Sequence, residues 1–194
     1  MKFPESKLAH KYLDGLIGIE IGGSAHNPFG IANCLNVDYT GDMNTIFKEE
    51  EFRLCGEKQK VDVVAPAWDL PFEDESLDYV LSSHVIEHCY DVIGTLMEWF
   101  RVLRSGGLLF IIIPHKERTF DKDRERTTIK ELVERHAGPP IEFDTHSHYS
   151  VWVTEDWVEI CKVFGWYLVE IQDTDDKVKN GFTVVLRKMC YTYY

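Results

Sequence analysis

Residues 108–114 read LLFIIIP, an apolar run with no polar break, preceded by Gly106-Gly107 and followed by His115-Lys116. Seven residues are far too few to cross a bilayer. A strand without polar alternation must be covered on both faces, the condition of a parallel sheet between helical layers. This run therefore demands an α/β domain, and the flanking sequence supplies its other parts.

Residues 89–107, CYDVIGTLMEWFRVLRSGG, have helical periodicity. Ile93, Leu96, Met97, Phe100 and Leu103 share one face, and Gly106 and Gly107 supply the stop. Short apolar runs at 15–23, 33–40, 60–72 and 76–88 predict four earlier strands, with a helix over 43–52 and a short amphipathic one over 4–13. Residues 154–165 predict a helix with Thr154 as N-cap and Gly165 as stop. Residues 166–173 and 181–188 predict the last two strands. The rhythm is that of a parallel sheet with right-handed crossovers. The polar link TDDKVKN is too short for a parallel return, so the final pair must be antiparallel. With no repeat, linker or low-complexity stretch, residues 1–194 read as one domain.

Composition narrows the function. The formal charge of -12 disfavours nucleic acid, whose phosphates want basic surfaces. Cys34, Cys55, Cys89, Cys161 and Cys190 are odd in number and lack CxxC spacing, so they read as reduced thiols. The first fifteen residues have no apolar signal core, and no long apolar run follows. The expected setting is cytoplasmic, without membrane contact.

Ligands of open parallel sheets bind beyond the carboxyl ends of the strands, where the strand order reverses. Glu20, Gly22 and Gly23 close the first strand, and glycines there let a ligand approach the backbone. Ser24 follows them. Asp38 ends the second strand, beside Tyr39, in a place where an acid accepts hydrogen bonds from ribose hydroxyls. After the third strand Trp68 and Leu70 offer apolar surface to a ring, and Asp69 an acceptor for an exocyclic amine.

This order resembles the class I S-adenosylmethionine-dependent methyltransferases, especially the small type 11 group, over roughly residues 15–188. The most specific stretch is DLPFEDESLDYVLSSHVIEHCYDVIGTLMEWFRVLRSGGLLFIIIP, residues 69–114. The resemblance implies a Rossmann-like three-layer sandwich: a seven-stranded, mostly parallel sheet with its last strand antiparallel. It implies S-adenosylmethionine as cofactor, held by the residues just named. His84 is placed beside its methionine part.

His84-Val85-Ile86-Glu87-His88 spells H-x-x-E-H, which read alone is a zinc signature of inverted metalloproteases. Here it directly follows an apolar strand, whereas the zinc motif lies within a helix. It therefore reads as the methyltransferase post-strand segment, with Glu87 and His88 structural or pocket-lining. One departure is visible. The family's D/E-x-G-x-G-x-G loop stands here as Glu20-Ile21-Gly22-Gly23-Ser24-Ala25-His26, followed by a connection too short for a full helix.

The polar stretch from about 115 to 150 is too long for an ordinary loop and reads as a substrate-side insert. His115 lies at a strand end and is the first candidate for a general base, followed by His148 and His146. In extended chain Asp144, His146 and His148 would share a face able to bind a divalent metal, but no metal ligands are assigned. Lys116, Arg118, Arg124 and Arg126 suggest an anionic or sugar-like small-molecule acceptor. The expected reaction is methyl transfer to oxygen of a sugar-like or natural-product metabolite. The alternative is a methyltransferase-like binding or scaffold protein without turnover. A homodimer is compatible with the pattern. An NAD enzyme is disfavoured because G-x-G-x-x-G is missing.

Overall fold

The computed structural model describes residues 1–142 and 144–189, so Cys190 lies outside the described residues. Seven strands form one sheet: β1 (Gly18–Ile21), β2 (Cys34–Asp38), β3 (Val63–Val64), β4 (Leu77–Ser83), β5 (Leu103–Pro114), β6 (Tyr167–Gln172) and β7 (Gly181–Arg187). Their order is β3-β2-β1-β4-β5-β7-β6. Strands β1 to β5 pair in parallel, and β7 runs antiparallel to both β5 and β6. The reversal of order lies between β1 and β4, so a crevice opens at their carboxyl ends.

The expected two-sided burial of β5 is met, with every residue from Leu108 to Pro114 buried. On one face Leu109, Ile111 and Ile113 meet a core that includes α3 (Val92–Val102) and α5 (Thr154–Phe164). On the other, Phe110 and Ile112 meet α1 (Lys7–Leu13) and Phe29. Helix α1 begins later than its sequence suggests, at Lys7, because the Ser6 hydroxyl caps the Ala9 N–H at 2.9 Å. Among the described residues, no helix is long and apolar enough to cross a membrane.

The structure corrects the expected face of α3. Met97 is exposed, whereas Trp99 and Val102 are buried. The helix turns so that the Trp99 indole N–H reaches the Ala67 carbonyl at 2.8 Å, a bond that a buried indole requires. It also stops at Val102, before the glycines. Leu103 already pairs with Leu77 in the sheet, and Gly106 adopts φ +81° within the irregular start of β5. In α5 the cap is Val153 rather than Thr154, whose hydroxyl instead donates to Asp173 at 2.5 Å.

No helix joins β1 to β2. The loop between them fills the space with Phe29, and the buried Lys177 locks it. Its ammonium donates to the carbonyls of Pro4 (3.0 Å) and Pro28 and stands 4.1 Å from the Phe29 ring centre. The insert also has structure. Helix α4 (Ile129–Ala137) starts at a Thr128/Glu131 capping box and buries Leu132 in the core.

Candidate functional site

A cavity of about 450 Å³ opens at the carboxyl ends of β1, β2 and β4, within the size range of small-molecule sites. Its floor is the turn after β1. Gly22 holds φ +71°, and a Cβ there would sit 2.7 Å from Val85 Cγ2. At Gly23 a Cβ would meet the Asn36 amide oxygen at 2.5 Å. Only glycine suits both positions. Asn36 accepts the Gly23 N–H at 3.0 Å, which fixes the turn against β2. Helix α2 (Ile46–Cys55) fixes the next residues. Glu51 accepts the N–H of Ala25 and, at 2.7 Å, that of half-buried Gln59, and it pairs with Lys48 at 3.0 Å; Glu51, Ala25 and Lys48 are buried.

Asp38, Tyr39 and Trp68 line the second wall, with Ala65 and Ala67 between them. Desolvation raises the Asp38 carboxyl, opposed by the Lys48 charge and by the backbone N–H groups of Tyr39 and Thr40. The third wall is the segment after β4. His84 has φ +56°, and residues 86–88 form one 3-10 turn, so His84 and His88 do not stack as they would on an α-helix.

A methyltransferase-domain family model matches residues 20–111, the stretch that builds all three walls. Residues 20–111 are a class I S-adenosylmethionine-dependent methyltransferase domain of the type 11 group. The chain is 32% identical over 106 residues to ajmaline N-methyltransferase of Rauvolfia serpentina, a match covering 53% of this chain and 36% of that protein. It is 40% identical over 57 residues to a probable S-adenosylmethionine-dependent methyltransferase of Mycolicibacterium smegmatis, covering 29% of this chain and 22% of that protein. The match thus spans well under half the length of either curated relative. A crystal structure of a methyltransferase from Aquifex aeolicus superposes with TM-score 0.54 at 16% identity, covering 91% of this chain and 84% of that one, and shows the shared fold.

The methyl donor of this family is S-adenosylmethionine, and the cavity suits it. The two glycines let the turn pack directly on Val85 and Asn36 with its backbone at the cavity, and an acid stands at the end of β2. Ser24 and His26, in place of the usual later glycines, bond to each other at 2.6 Å. The domain thus closes its altered loop internally and keeps the Gly22-Gly23 floor.

Of the residues expected to hold the cofactor, Gly22, Gly23, Ser24, Asp38, Tyr39, Trp68 and His84 line the cavity. Glu20, Asp69 and Leu70 do not. Leu70 is buried, with its N–H on Glu98, and Asp69 is exposed. Glu20 lies under the turn, its carboxyl carbon 3.0 Å from where a Gly23 Cβ would be. Asn36, Lys48, Glu51 and His88 carry much of the site but were not assigned to the cofactor from sequence. The Asn and the helical Lys/Glu pair look like ordinary surface residues until the fold buries them.

Burial raises the Glu20 carboxyl from 4.5 to about 7, opposed by Lys177 and Lys48. A carboxyl raised on folding holds its proton more tightly when folded. Its contribution to stability is complete below about pH 4.5 and is lost as pH rises through about 7. Glu20→Gln cannot ionise, so it should gain on the wild type between about pH 5 and 8, by up to about 3 kcal/mol. Urea unfolding of the ligand-free proteins at both pH values measures this. A stability difference that does not move with pH would refute it.

The three candidate bases are dispersed. His115 is buried at the end of β5, off the cavity lining, where its Nδ1 accepts the Glu117 N–H at 3.1 Å. His146 is exposed and stacks on Phe47, ring centres 5.4 Å apart. Residues 144–147 form a turn instead of extended chain. Asp144 accepts the His146 N–H at 2.9 Å and the Ser147 hydroxyl at 2.6 Å, so Asp144, His146 and His148 do not share a face. His148 lies against His88, and its Nδ1 bonds Asp121 at 2.6 Å. The four insert cations are paired with acids: Lys116 with Glu117, Arg118 with Asp173, Arg124 with Asp121 and Arg126 with Asp156. None lines the cavity.

Proposed function

We propose that this domain transfers a methyl group from S-adenosylmethionine to a small-molecule acceptor, with a hydroxyl oxygen as the favoured target. The observation that supports this best is the cavity at the strand-order reversal, which joins the Gly22-Gly23 cradle to Asp38 and to the histidine-lined wall after β4. When bound, the cofactor supplies an electrophilic methyl on a positively charged sulfur. The chain's residues do the rest. Gly22 and Gly23 admit the ligand close to the backbone, Asp38 accepts from the ribose hydroxyls, and Trp68 covers the base. The cavity walls align donor and acceptor and exclude water. A hydroxyl acceptor must also lose a proton. His148, oriented by Asp121 and in edge contact with the cavity-lining His88, is the best placed of the three candidate bases.

A sugar-like or natural-product acceptor remains our substrate reading. The paired insert cations favour a neutral acceptor over an anionic one. The second reading, a binding or scaffold protein without turnover, draws on the Ser24–His26 pair in the altered loop.

Calorimetric titration of the full chain with S-adenosylhomocysteine tests the proposal. Saturable binding of one ligand per chain is expected. Failure to bind at millimolar ligand would overturn the methyl-transfer reading. Any methylated product formed with S-adenosylmethionine would dispose of the scaffold reading.

A further inference from the structure

Glu87 is fully buried, and neither of its carboxylate oxygens has a hydrogen-bond partner among the described residues. An isolated buried carboxylate is among the most costly groups a fold can hold. Two histidines close on it. His88 Nε2 stands 3.8 Å from Glu87 Oε1. One ligand atom each from Glu87, His88 and His148 fall within 4.8 Å of one another. His84 Nδ1 lies 3.8 Å from the same Glu87 oxygen.

The other ring nitrogens are already engaged. His88 Nδ1 faces the Ser147 carbonyl at 3.1 Å, and His148 Nδ1 faces Asp121 at 2.6 Å. Each contact places a proton on Nδ1 and leaves Nε2 as a lone-pair donor, and the His88 Nε2 faces the Glu87 carboxylate. Asp121 is itself buried and held by Arg124 at 2.8 Å. A histidine whose far nitrogen is held by a carboxylate or a carbonyl is the usual outer arrangement of a metal ligand. Backbone pairing brings the distant histidine in: the Glu87 carbonyl accepts the N–H of Tyr149 at 2.7 Å and that of Ser150 at 3.2 Å.

We propose that Glu87, His88 and His148 form a binding site for a divalent first-row transition-metal ion. Two nitrogens and one carboxylate suit zinc or iron(II) and leave coordination positions open. Ligands on one such ion sit roughly 3–4 Å apart, so separations of up to 4.8 Å would need to shorten by no more than about 2 Å. His88 lines the cavity, so an open position faces the space where the acceptor would lie. The role of the ion rests on the methyl-transfer reading: it would bind the acceptor oxygen and lower the pKa of its hydroxyl, replacing a histidine base. The site itself does not depend on that reading.

The test uses the full chain, stripped with chelator, dialysed and titrated with zinc chloride by calorimetry. Bound zinc is counted by atomic emission after buffer exchange. One zinc per chain is expected. Glu87→Gln and His148→Gln should each weaken binding by at least about 30-fold. Asp121→Asn removes no ligand and should cost roughly 10- to 100-fold. His136→Gln, outside the cluster, should change affinity by less than threefold. Circular dichroism confirms folding, and if a ligand variant misfolds, Asp121→Asn decides. Fewer than one zinc per ten chains, or equal affinity in wild type and the cluster variants, would overturn the site. Parallel titration with S-adenosylhomocysteine separates the two proposals. Ligand binding without zinc binding refutes the metal site alone. Zinc binding without ligand binding refutes the methyl-transfer reading alone.

Discussion

Asp38→Ala should weaken S-adenosylhomocysteine binding by about 100-fold while leaving the thermal midpoint of the free protein nearly unchanged. Asp38 ends β2 on the cavity wall, half-buried, at the place where a ribose would cross the strand ends. A hydrogen bond to a charged acceptor contributes roughly 1.5–3 kcal/mol. Losing two, partly offset by water entering the gap, leaves about 2.7 kcal/mol, or two decades of affinity. Because desolvation raises the carboxyl, affinity should also fall as pH drops into the carboxylate range, and the alanine variant should lack that dependence. Calorimetry on both proteins at two pH values reads both effects. An affinity within threefold of wild type would remove Asp38 from the ligand contact.

Glu51→Ala should destabilise the fold by about 3–5 kcal/mol and weaken the ligand as well. Glu51 is 2% exposed. Its carboxylate holds the N–H groups of Ala25 and Gln59 and the Lys48 ammonium. Truncation leaves a buried donor, a half-buried donor and a buried cation without this partner, and breaking a buried pair in this way costs several kcal/mol. Among the described residues Lys48 then keeps its bond to the Gln59 carbonyl at 2.9 Å. The loss also frees Ala25, two residues past the Gly22-Gly23 floor, so ligand affinity should fall with stability. Urea unfolding and ligand titration measure the two effects. A stability change below about 1 kcal/mol would show that water or a rearranged Lys48 satisfies the loop.

Much of the fold was legible because burial leaves a period in the sequence. The unbroken run 108–114 required a covered strand, and the short link after β6 required an antiparallel return. Both follow from local geometry. Part of the cavity lining was legible for a related reason: the carboxyl ends of strands are fixed once the strands are, and Gly22, Gly23 and Asp38 sit there. The α3 stripe was misread because periodicity gives a face only to within a residue or so. The Trp99 bond to Ala67, which sets the rotation, is made to a residue 32 positions away.

The candidate bases show the opposite limit. His115, His146 and His148 are candidates in the sequence by their positions in a polar insert. Their environments differ because the insert folds: α4 packs on the core, residues 144–147 turn, and 149–150 pair with Glu87. The H-x-x-E-H string does not lie on an α-helix: residues 86–88 form a single 3-10 turn. The sequence did not reveal that Glu87 and His88 would meet His148, about sixty residues on.

The amino-acid sequence by itself determined the α/β sheet, its antiparallel end and the acid and glycines at the strand ends, because each depends on contacts within one element or between neighbours. Only the tertiary structure decided which loop residues share a site. Asn36 and Glu51 catch the glycine turn, and Ser147 and Asp121 orient two histidines around a buried carboxylate. Those bonds join segments that no local period relates, and they form only after the sheet has brought its carboxyl-end loops together.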